Sequence, residues 1–360
     1  MALSLGALRA HAIARSLGAP AGLGEAIVRL GFVQADPIRA PARAQDLTLR
    51  HRVRTYRAGD LERSYPALPI EEDYFLNYGF LPRPHLALLH PRVPRHPWDR
   101  PKRGRAARVL AFLRANGEAH PREIEARFGH GTVTNYWGGS SNATTRLLEE
   151  MHYRGLVRVA RREAGVRVYA PAIARTEPPR PPAERAAALF ALAFTKYAPM
   201  PAACALPLAS RLRFAAPDLA GELRAAARRV LDDLPHGRVD GAEWYWPADE
   251  DPRAAPDPRD DARVLLLAPF DPIVWDRRRF EAFWGWAYRF EAYTPIAKRR
   301  LGYYALPLLF RGGVIGWANV TADAAAIDLG FVSGRPPRDR AFRRELDAEV
   351  ERMRAFLTGR

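Results

Sequence analysis

The chain has 360 residues, which fits two to four domains, and its 48% of hydrophobic residues can fill buried cores, so a disordered polypeptide is excluded. No apolar run approaches the roughly 20 residues of a membrane-spanning helix, and we expect no membrane partner. A single cysteine, Cys204, excludes an internal disulfide framework and a cysteine-rich zinc site. We therefore expect a cytoplasmic protein without a metal ion or cofactor.

The charge is strongly positive and unevenly distributed. Basic residues number 56 against 40 acidic ones, for a net charge of +16. The net charge is +13 over residues 1–180 and only +3 over residues 181–360. Compositional bias explains why arginine replaces lysine, but it does not explain an excess of base over acid. A basic first half indicates a surface for a polyanion, with nucleic acid the first candidate.

Residues 1–104 predict a helical unit of helix-turn-helix size with a linker at its end. Two amphipathic helices, 3–18 and 23–30, are separated by the Gly18-Ala19-Pro20 turn. Residues 32–36 are extended, and Pro37 begins a third helical pattern that reaches Leu49. The segment 82–104 is rich in proline, arginine and histidine, which predicts a surface linker.

Residues 105–177 carry the clearest local pattern, three helices followed by two strands that alternate with period 2. The predicted helices are 106–114, 121–128 and 141–154, and the predicted strands are 156–160 and 166–169. This order predicts a winged helix, with the third helix as the DNA reader and the hairpin as the wing.

The second half repeats the helical theme and then becomes rich in strands. Residues 183–246 predict a weaker winged helix, with helices 183–197, 202–211 and 217–234 and a wing at 239–246. Residues 263–360 predict a β-rich domain, with strands 264–268, 303–309, 314–320 and 325–331 and a terminal helix 342–357. The fold class is therefore mainly α with β (α+β), built from tandem winged-helix modules and a small β-rich domain.

A Gln-x-Asp segment precedes the third helical pattern. Alternation along an extended segment places Gln34 and Asp36 on one side and Val33 and Ala35 toward the core. Pro37 disfavours helix at Asp36 and keeps it extended. Alternatively, Asp36 is only the N-cap of the helix that Pro37 begins. The two interpretations are compatible, because a capping carboxylate is an anion at neutral pH.

This segment resembles the Gln-x-Asp motif of the bacterial YcaQ/AlkZ family of winged-helix DNA glycosylases, in the form typical of the YcaQ branch. The resemblance extends in order over nearly the whole chain, through residues 43–46, 50–52, 77–80, 90–92, 135–139, 148–169, 269–277 and 290–304. It implies tandem winged helices closed by a β-barrel-like domain around a DNA channel. It also implies removal of N7-alkylated purines and unhooking of interstrand crosslinks in double-stranded DNA.

The chemistry that the resemblance implies needs two catalytic side chains. An N7-alkylated purine already carries positive charge, so its departure requires little protonation. The enzyme must stabilise an oxocarbenium-like sugar and place water at C1′. We expect Asp36 to orient or deprotonate that water and Gln34 to hold it by a hydrogen bond.

The candidate DNA-binding residues fall into three groups. They are Arg43, Arg50 and Arg52 after the Gln-x-Asp segment, Arg146, Arg158, Arg161 and Arg162 on the reader helix and wing, and Lys298, Arg299 and Arg300 near three tyrosines. Helix starts and wings are where such modules touch the DNA backbone. A solvated helix face is the alternative for the first group. His51 and His90 receive no role.

The sequence leaves two functions open. The first is a monomeric, monofunctional DNA glycosylase that acts on alkylated or crosslinked duplex DNA. The second is a winged-helix transcriptional regulator or architectural DNA-binding protein, which predicts a dimer on a palindromic sequence. No complete nucleotide-binding glycine motif is present, so the sequence does not support nucleotide hydrolysis.

Overall fold

The computed structural model describes residues 2–94, 96–134, 139–174, 180–324 and 326–359. The first module comprises α1 (Leu5–Leu17), α2 (Leu23–Leu30), β1 (Val33–Gln34), α3 (Ala44–Leu49), α4 (Asp60–Ser64), β2 (Ile70–Tyr74), β3 (Tyr78–Pro82) and α5 (Leu86–Leu89). The strands form an antiparallel sheet in the order β1-β3-β2. The β2–β3 hairpin was not expected from the sequence.

Two predictions for the first module are wrong. No helix begins at Pro37; α3 begins only at Ala44. Pro41, four residues after Pro37, lacks the N–H that would close the first helical turn, and the Asp36 side chain instead accepts the N–H of Ile38 in a local turn (2.9 Å). The expected surface linker is also partly buried, because Leu89 and Arg92 lie inside the protein.

The second module follows the predicted order. It comprises α6 (Arg100–Asn116), α7 (Pro121–Phe128), β4 (Thr132–Thr134), β5 (Ser140–Asn142), α8 (Ala143–Tyr153), β6 (Val157–Glu163) and β7 (Val166–Pro171). The Asn142 side chain accepts the N–H of Thr145 (2.8 Å) and so fixes the start of α8. The short β4–β5 pair was not expected, and residues 135–138 of the motif at 135–139, with Trp137, lie outside the described residues.

The third module comprises α9 (Pro182–Tyr197), β8 (Met200–Pro201), α10 (Ala202–Arg211), α11 (Leu223–Asp232), β9 (His236–Val239) and β10 (Ala242–Tyr245). The predicted helix 217–234 is a 3-10 turn, Pro217–Leu219, followed by α11. The core of this module includes Phe32 and Phe75 of the first module. The first and third modules therefore share one apolar core.

The C-terminal region comprises β11 (Leu265–Leu266), α12 (Arg277–Trp284), β12 (Leu306–Phe310), β13 (Gly313–Val320), β14 (Ile327–Phe331) and α13 (Arg340–Thr358). Its strands pair antiparallel in the order β11-β12-β13-β14. Within the described strands β14 does not pair back to β11, so the sheet is open and the expected barrel-like closure is not found. The segment that joins β11 to α12 returns to β1 and places Trp275 beside Gln34.

Candidate active site

The Gln34 amide is held in one orientation. Its Oε1 accepts hydrogen bonds from Trp275 Nε1 (2.9 Å) and from Asn77 Nδ2 (3.1 Å). An indole nitrogen can only donate, so the atom that faces Trp275 must be the oxygen of the amide. Gln34 Nε2 has no partner among the described residues, and it remains a donor for another molecule.

Asp36 follows β1 and is held by the backbone around it. Ala35 donates its N–H to Tyr78 O (2.9 Å), and Asp36 donates its own N–H to Gln45 Oε1 (3.3 Å). One carboxylate oxygen accepts from Ile38, while Oδ2 has no partner in the described part of the chain. Burial raises the pKa of the half-buried carboxyl group, and the Ile38 N–H opposes that shift. The carboxyl group thus has one oxygen without a partner in the described structure.

Gly79 allows β3 to approach β1 at this position. It pairs with Gln34 in the sheet register. A Cβ atom at Gly79 would lie 2.3 Å from Val33 O and 2.6 Å from the Phe32 ring, distances that side chains do not tolerate. The glycine therefore positions the strand that carries Gln34.

Tyrosines of the segment before β12 lie within the electric field of Asp36. Burial raises the pKa of Tyr304 and, more weakly, of Tyr293, and the Asp36 charge adds to both shifts. The Tyr304 hydroxyl is buried and has no partner among the described residues. Tyr293 is 77% exposed and Ile296 is 80% exposed. An open apolar and aromatic surface therefore lies near the carboxylate.

A protein-family model for DNA glycosylase AlkZ-like proteins matches residues 27–356. The chain belongs to the AlkZ-like DNA glycosylase family. Its structure is similar to that of DNA glycosylase AlkZ from Streptomyces sahachiroi, with a TM-score of 0.67 and 14% sequence identity over 99% of this chain and 98% of that chain. At this identity the likeness concerns the fold alone. The family predicted from the Gln-x-Asp segment is confirmed.

The three arginines that follow the Gln-x-Asp segment of this AlkZ-like glycosylase are engaged inside the protein. Arg52 has no exposed surface, and its guanidinium donates to Ser16, Thr48 and Asp271. Arg50 is buried against Glu349, and Arg43 pairs with Glu62 (2.5 Å). Arg50 and Arg52 therefore cannot reach a DNA phosphate, and the expected contact is corrected for both.

The arginines of the second module divide by their partners. Arg158 binds Glu71 through two nitrogens, and Arg162 binds the buried Glu72. Arg161 lies on the surface and pairs with Glu118 and Glu163. Arg146 is mostly exposed and makes one long contact to Glu150 (3.3 Å). Of the four, Arg146 and Arg161 remain accessible to DNA, while Arg158 and Arg162 join the second module to the first.

The basic residues before β12 are the most open of the predicted group. Lys298 and Arg300 are exposed, and no described carboxylate lies within 4.0 Å of either side chain. The Arg299 guanidinium lies over the Tyr303 ring at 5.0 Å and donates to Thr294 O. These cations belong to the same segment as the tyrosines near Asp36.

Both histidines without an expected role have structural contacts. His51 Nε2 lies 2.9 Å from Leu266 O, and burial holds its pKa well below the ordinary value. His90 Nε2 lies 2.6 Å from an oxygen of the buried Asp73. Neither histidine makes a contact to Gln34 or Asp36 in the described structure.

The sequence reasoning missed two residues that orient Gln34. Asn77 and Trp275 both lie in segments that carried the family resemblance, and that was the only signal for them. Among the described residues no group of three or more possible metal ligands comes together. No described helix is both long enough and apolar enough to cross a membrane.

Proposed function

We propose that this AlkZ-like glycosylase hydrolyses the N-glycosidic bond of N7-alkylated purines in duplex DNA, including those joined in interstrand crosslinks. One observation carries the proposal. Gln34 presents a donor whose orientation Trp275 fixes, and Asp36, two residues away, presents a carboxylate oxygen without a partner. A donor and an acceptor of this kind can hold one water molecule in a defined orientation.

The reaction follows from these two groups. The Asp36 carboxylate accepts a proton of the water, while Gln34 Nε2 donates to the water oxygen. The oxygen attacks C1′ as the bond from C1′ to the purine nitrogen breaks. The bonding electrons return to the cationic base and neutralise it, so no acid is needed at the leaving group. The negative charge of Asp36 also stabilises the oxocarbenium-like sugar.

Water rather than a lysine amine is the proposed nucleophile, which makes the enzyme monofunctional. Lys196 is the lysine that packs against β1. Burial lowers its pKa to about 7, but its Nζ donates to the backbone carbonyl groups of Leu30 and Phe32. We therefore assign Lys196 to holding the strand in place.

The proposed DNA surface includes Lys298, Arg299 and Arg300 with the exposed tyrosines beside them. Arg146 and Arg161 extend it onto the second module, whose helix-and-hairpin order suits a winged-helix contact to the DNA backbone. Arg43, held by Glu62, can serve only if that ion pair opens. The partner is damaged double-stranded DNA, bound by a monomer without preference for sequence.

The test uses two duplexes, one with a single N7-alkylguanine and one with an N7-linked interstrand crosslink. Wild-type protein should leave abasic sites that mild alkali converts to strand breaks, and it should separate the crosslinked strands on a denaturing gel. Asp36→Asn should lose about 10²–10⁴-fold in single-turnover rate while DNA affinity persists.

Asp260→Asn is the matched control, because Asp260 is an exposed aspartate without an ion pair in the described structure. Its rate should equal that of the wild type. Excision by Asp36→Asn at the wild-type rate would contradict the assignment of Asp36 as the catalytic base. A sequence-specific footprint without any strand breaks would favour the regulator instead.

A further inference from the structure

Two arginines of the third module, one beside the proposed active site and the other two residues further along the chain, were not singled out by the sequence. Arg211 ends α10, and Arg213 lies in the 3-10 turn Leu212–Phe214 that follows. Both side chains are exposed. Among the described residues, no carboxylate lies within 4.0 Å of either one.

Arg211 is connected to Gln34 through one side chain. Its guanidinium lies over the Trp275 ring, 5.2 Å from the centroid. The same indole stacks on Tyr197 with centroids 4.5 Å apart and donates to Gln34 Oε1. An arginine that rests on an aromatic ring is held in place while its N–H donors stay free.

The surface continues from Arg211 toward the second module. The Tyr74 and Tyr153 rings lie 6.3 Å apart, and burial raises the pKa of Tyr74 while the charges of Arg92 and Arg211 oppose that shift. Tyr153 donates to Phe214 O (2.7 Å), and the Arg213 guanidinium lies over the Phe214 ring at 4.8 Å.

A groove of about 610 Å³ opens at this point between the second and third modules. Trp98 and Phe214 contribute apolar surface to its wall, whose cations outnumber its carboxylates. The cations are Lys102, Arg146, Arg154 and Arg213, and the carboxylates are Asp99 and Glu150, of which Glu150 pairs with Lys102 and Arg146. Cations combined with aromatic surface are typical of a channel that follows a nucleic-acid backbone. Arg213 thus lines this groove, and Arg211, two residues earlier in the chain, lies over the Trp275 ring beside Gln34.

We propose that Arg211 and Arg213 bind neighbouring backbone phosphates of the DNA strand that runs from the Gln34–Asp36 site into this groove. The inference rests on the proposed function, because it uses the same site and adds the path of the strand. It assigns phosphate contacts to the half of the chain that is almost neutral. The cations are useful there because they have no carboxylate partners and are already oriented.

The experiment measures the affinity for an undamaged duplex by fluorescence anisotropy over a range of salt concentrations. Log K falls as log salt rises, and each lost phosphate contact should make this negative slope shallower by about 0.9. Arg211→Gln and Arg213→Gln should each show this loss, and Arg211→Lys should restore the slope. Arg228→Gln is the control, since Arg228 is exposed on α11 and has no ion pair in the described structure.

An unchanged slope for Arg211→Gln, or an equal loss for Arg228→Gln, overturns the proposal. The salt dependence of DNA affinity does not depend on catalysis, so the phosphate contacts and the glycosylase activity are tested separately. If the wild type releases no base but the slope still depends on Arg211 and not on Arg228, the glycosylase proposal fails and the phosphate site stands.

Discussion

The arginines beside β2 and the cations beside the Gln34–Asp36 site differ in their partners. Glu71, Glu72 and Asp73 are three consecutive buried carboxylates, and arginines from other segments neutralise them. Lys298, Arg300 and Arg211 have no such carboxylate in the described structure. The same type of side chain stabilises the fold in the first region and is free to meet DNA in the second.

This difference shows that net charge along the sequence does not report which arginines are free of carboxylate partners. The first half carries most of the positive excess, yet several of its arginines are held by buried acids. Removing a carboxylate from a buried pair leaves an uncompensated charge in a medium of low dielectric constant, which is costly. Removing an exposed, unpaired cation costs little stability and changes only its interaction with an anionic ligand.

The largest predicted effect is on stability, for Asp73→Asn. Asp73 accepts from Arg92 (3.0 Å) and contacts His90, and all three side chains are buried. The substitution leaves the buried Arg92 charge without a carboxylate partner, so we expect the free energy of unfolding to fall by about 3–5 kcal/mol in urea denaturation. Asp260→Asn is the control and should leave the free energy of unfolding unchanged. A similar loss for both variants would contradict the difference between buried, paired and exposed, unpaired charges.

The same carboxylate predicts how stability responds to acid. Burial raises the pKa of Asp73, but the Arg92 charge and the His90 contact outweigh it and hold the pKa below the ordinary value of 3.8. A folded-state pKa below the unfolded one gives stability that is complete above the unfolded pKa. That contribution is lost as the pH falls from the unfolded pKa through the folded one, and Asp73→Asn should remove this acid dependence.

The second prediction concerns pH and the site itself. Burial raises the pKa of Asp36 above 3.8, and only the ionised form can accept a proton from water. The single-turnover rate should therefore fall tenfold per pH unit below that raised pKa, while the protein is still folded. Circular dichroism at each pH separates the loss of rate from unfolding, because the stability that Asp73 contributes is lost at lower pH than the ionised form of Asp36. A rate that has not fallen when the pH reaches 3.8, with the protein still folded, would contradict Asp36 as the base.

The third prediction tests how Gln34 is oriented. Trp275→Phe keeps a ring but removes the N–H that Gln34 accepts, which should slow excision about fivefold, for roughly 1 kcal/mol per hydrogen bond. In a Gln34→Ala background the same change should cost nothing further, so the double-mutant cycle should show coupling. Trp286→Phe, which removes an N–H bond to Val314 O, is the control. Equal losses in both backgrounds would mean that Trp275 acts through packing alone.

The local sequence predicted the elements in which apolar residues recur with a single helical or strand period. The helix 23–30 and the helix 121–128 match α2 and α7 residue for residue. Strand β2 was missed because it reads Ile-Glu-Glu-Asp-Tyr, a polar run typical of a loop. Its two glutamates are buried against Arg158 and Arg162, which lie about ninety residues later in the chain. No local pattern reports such a partner.

The candidate site also combines residues that local sequence predicts with residues that only distant contacts bring in. Gln34 and Asp36 were predicted because they are two residues apart and belong to a motif. Trp275, which sets the orientation of Gln34, is 241 positions away, and Arg211 belongs to a different module. Their roles depend on how the modules pack, so they could be read only from the structure.

The smallest predicted effect compares one cation from each region. Lys298→Gln removes an exposed cation without a described carboxylate partner. It should make the negative slope of log K against log salt shallower by about 0.9, with no change in urea midpoint. Arg158→Gln removes a cation that Glu71 binds through two contacts, so it should lower the urea midpoint and leave the salt slope unchanged. The opposite result, with the slope becoming shallower for Arg158→Gln alone, would mean that the Glu71 pair opens when DNA binds. In that case the second-module wing, rather than the segment before β12, would carry the phosphate contacts.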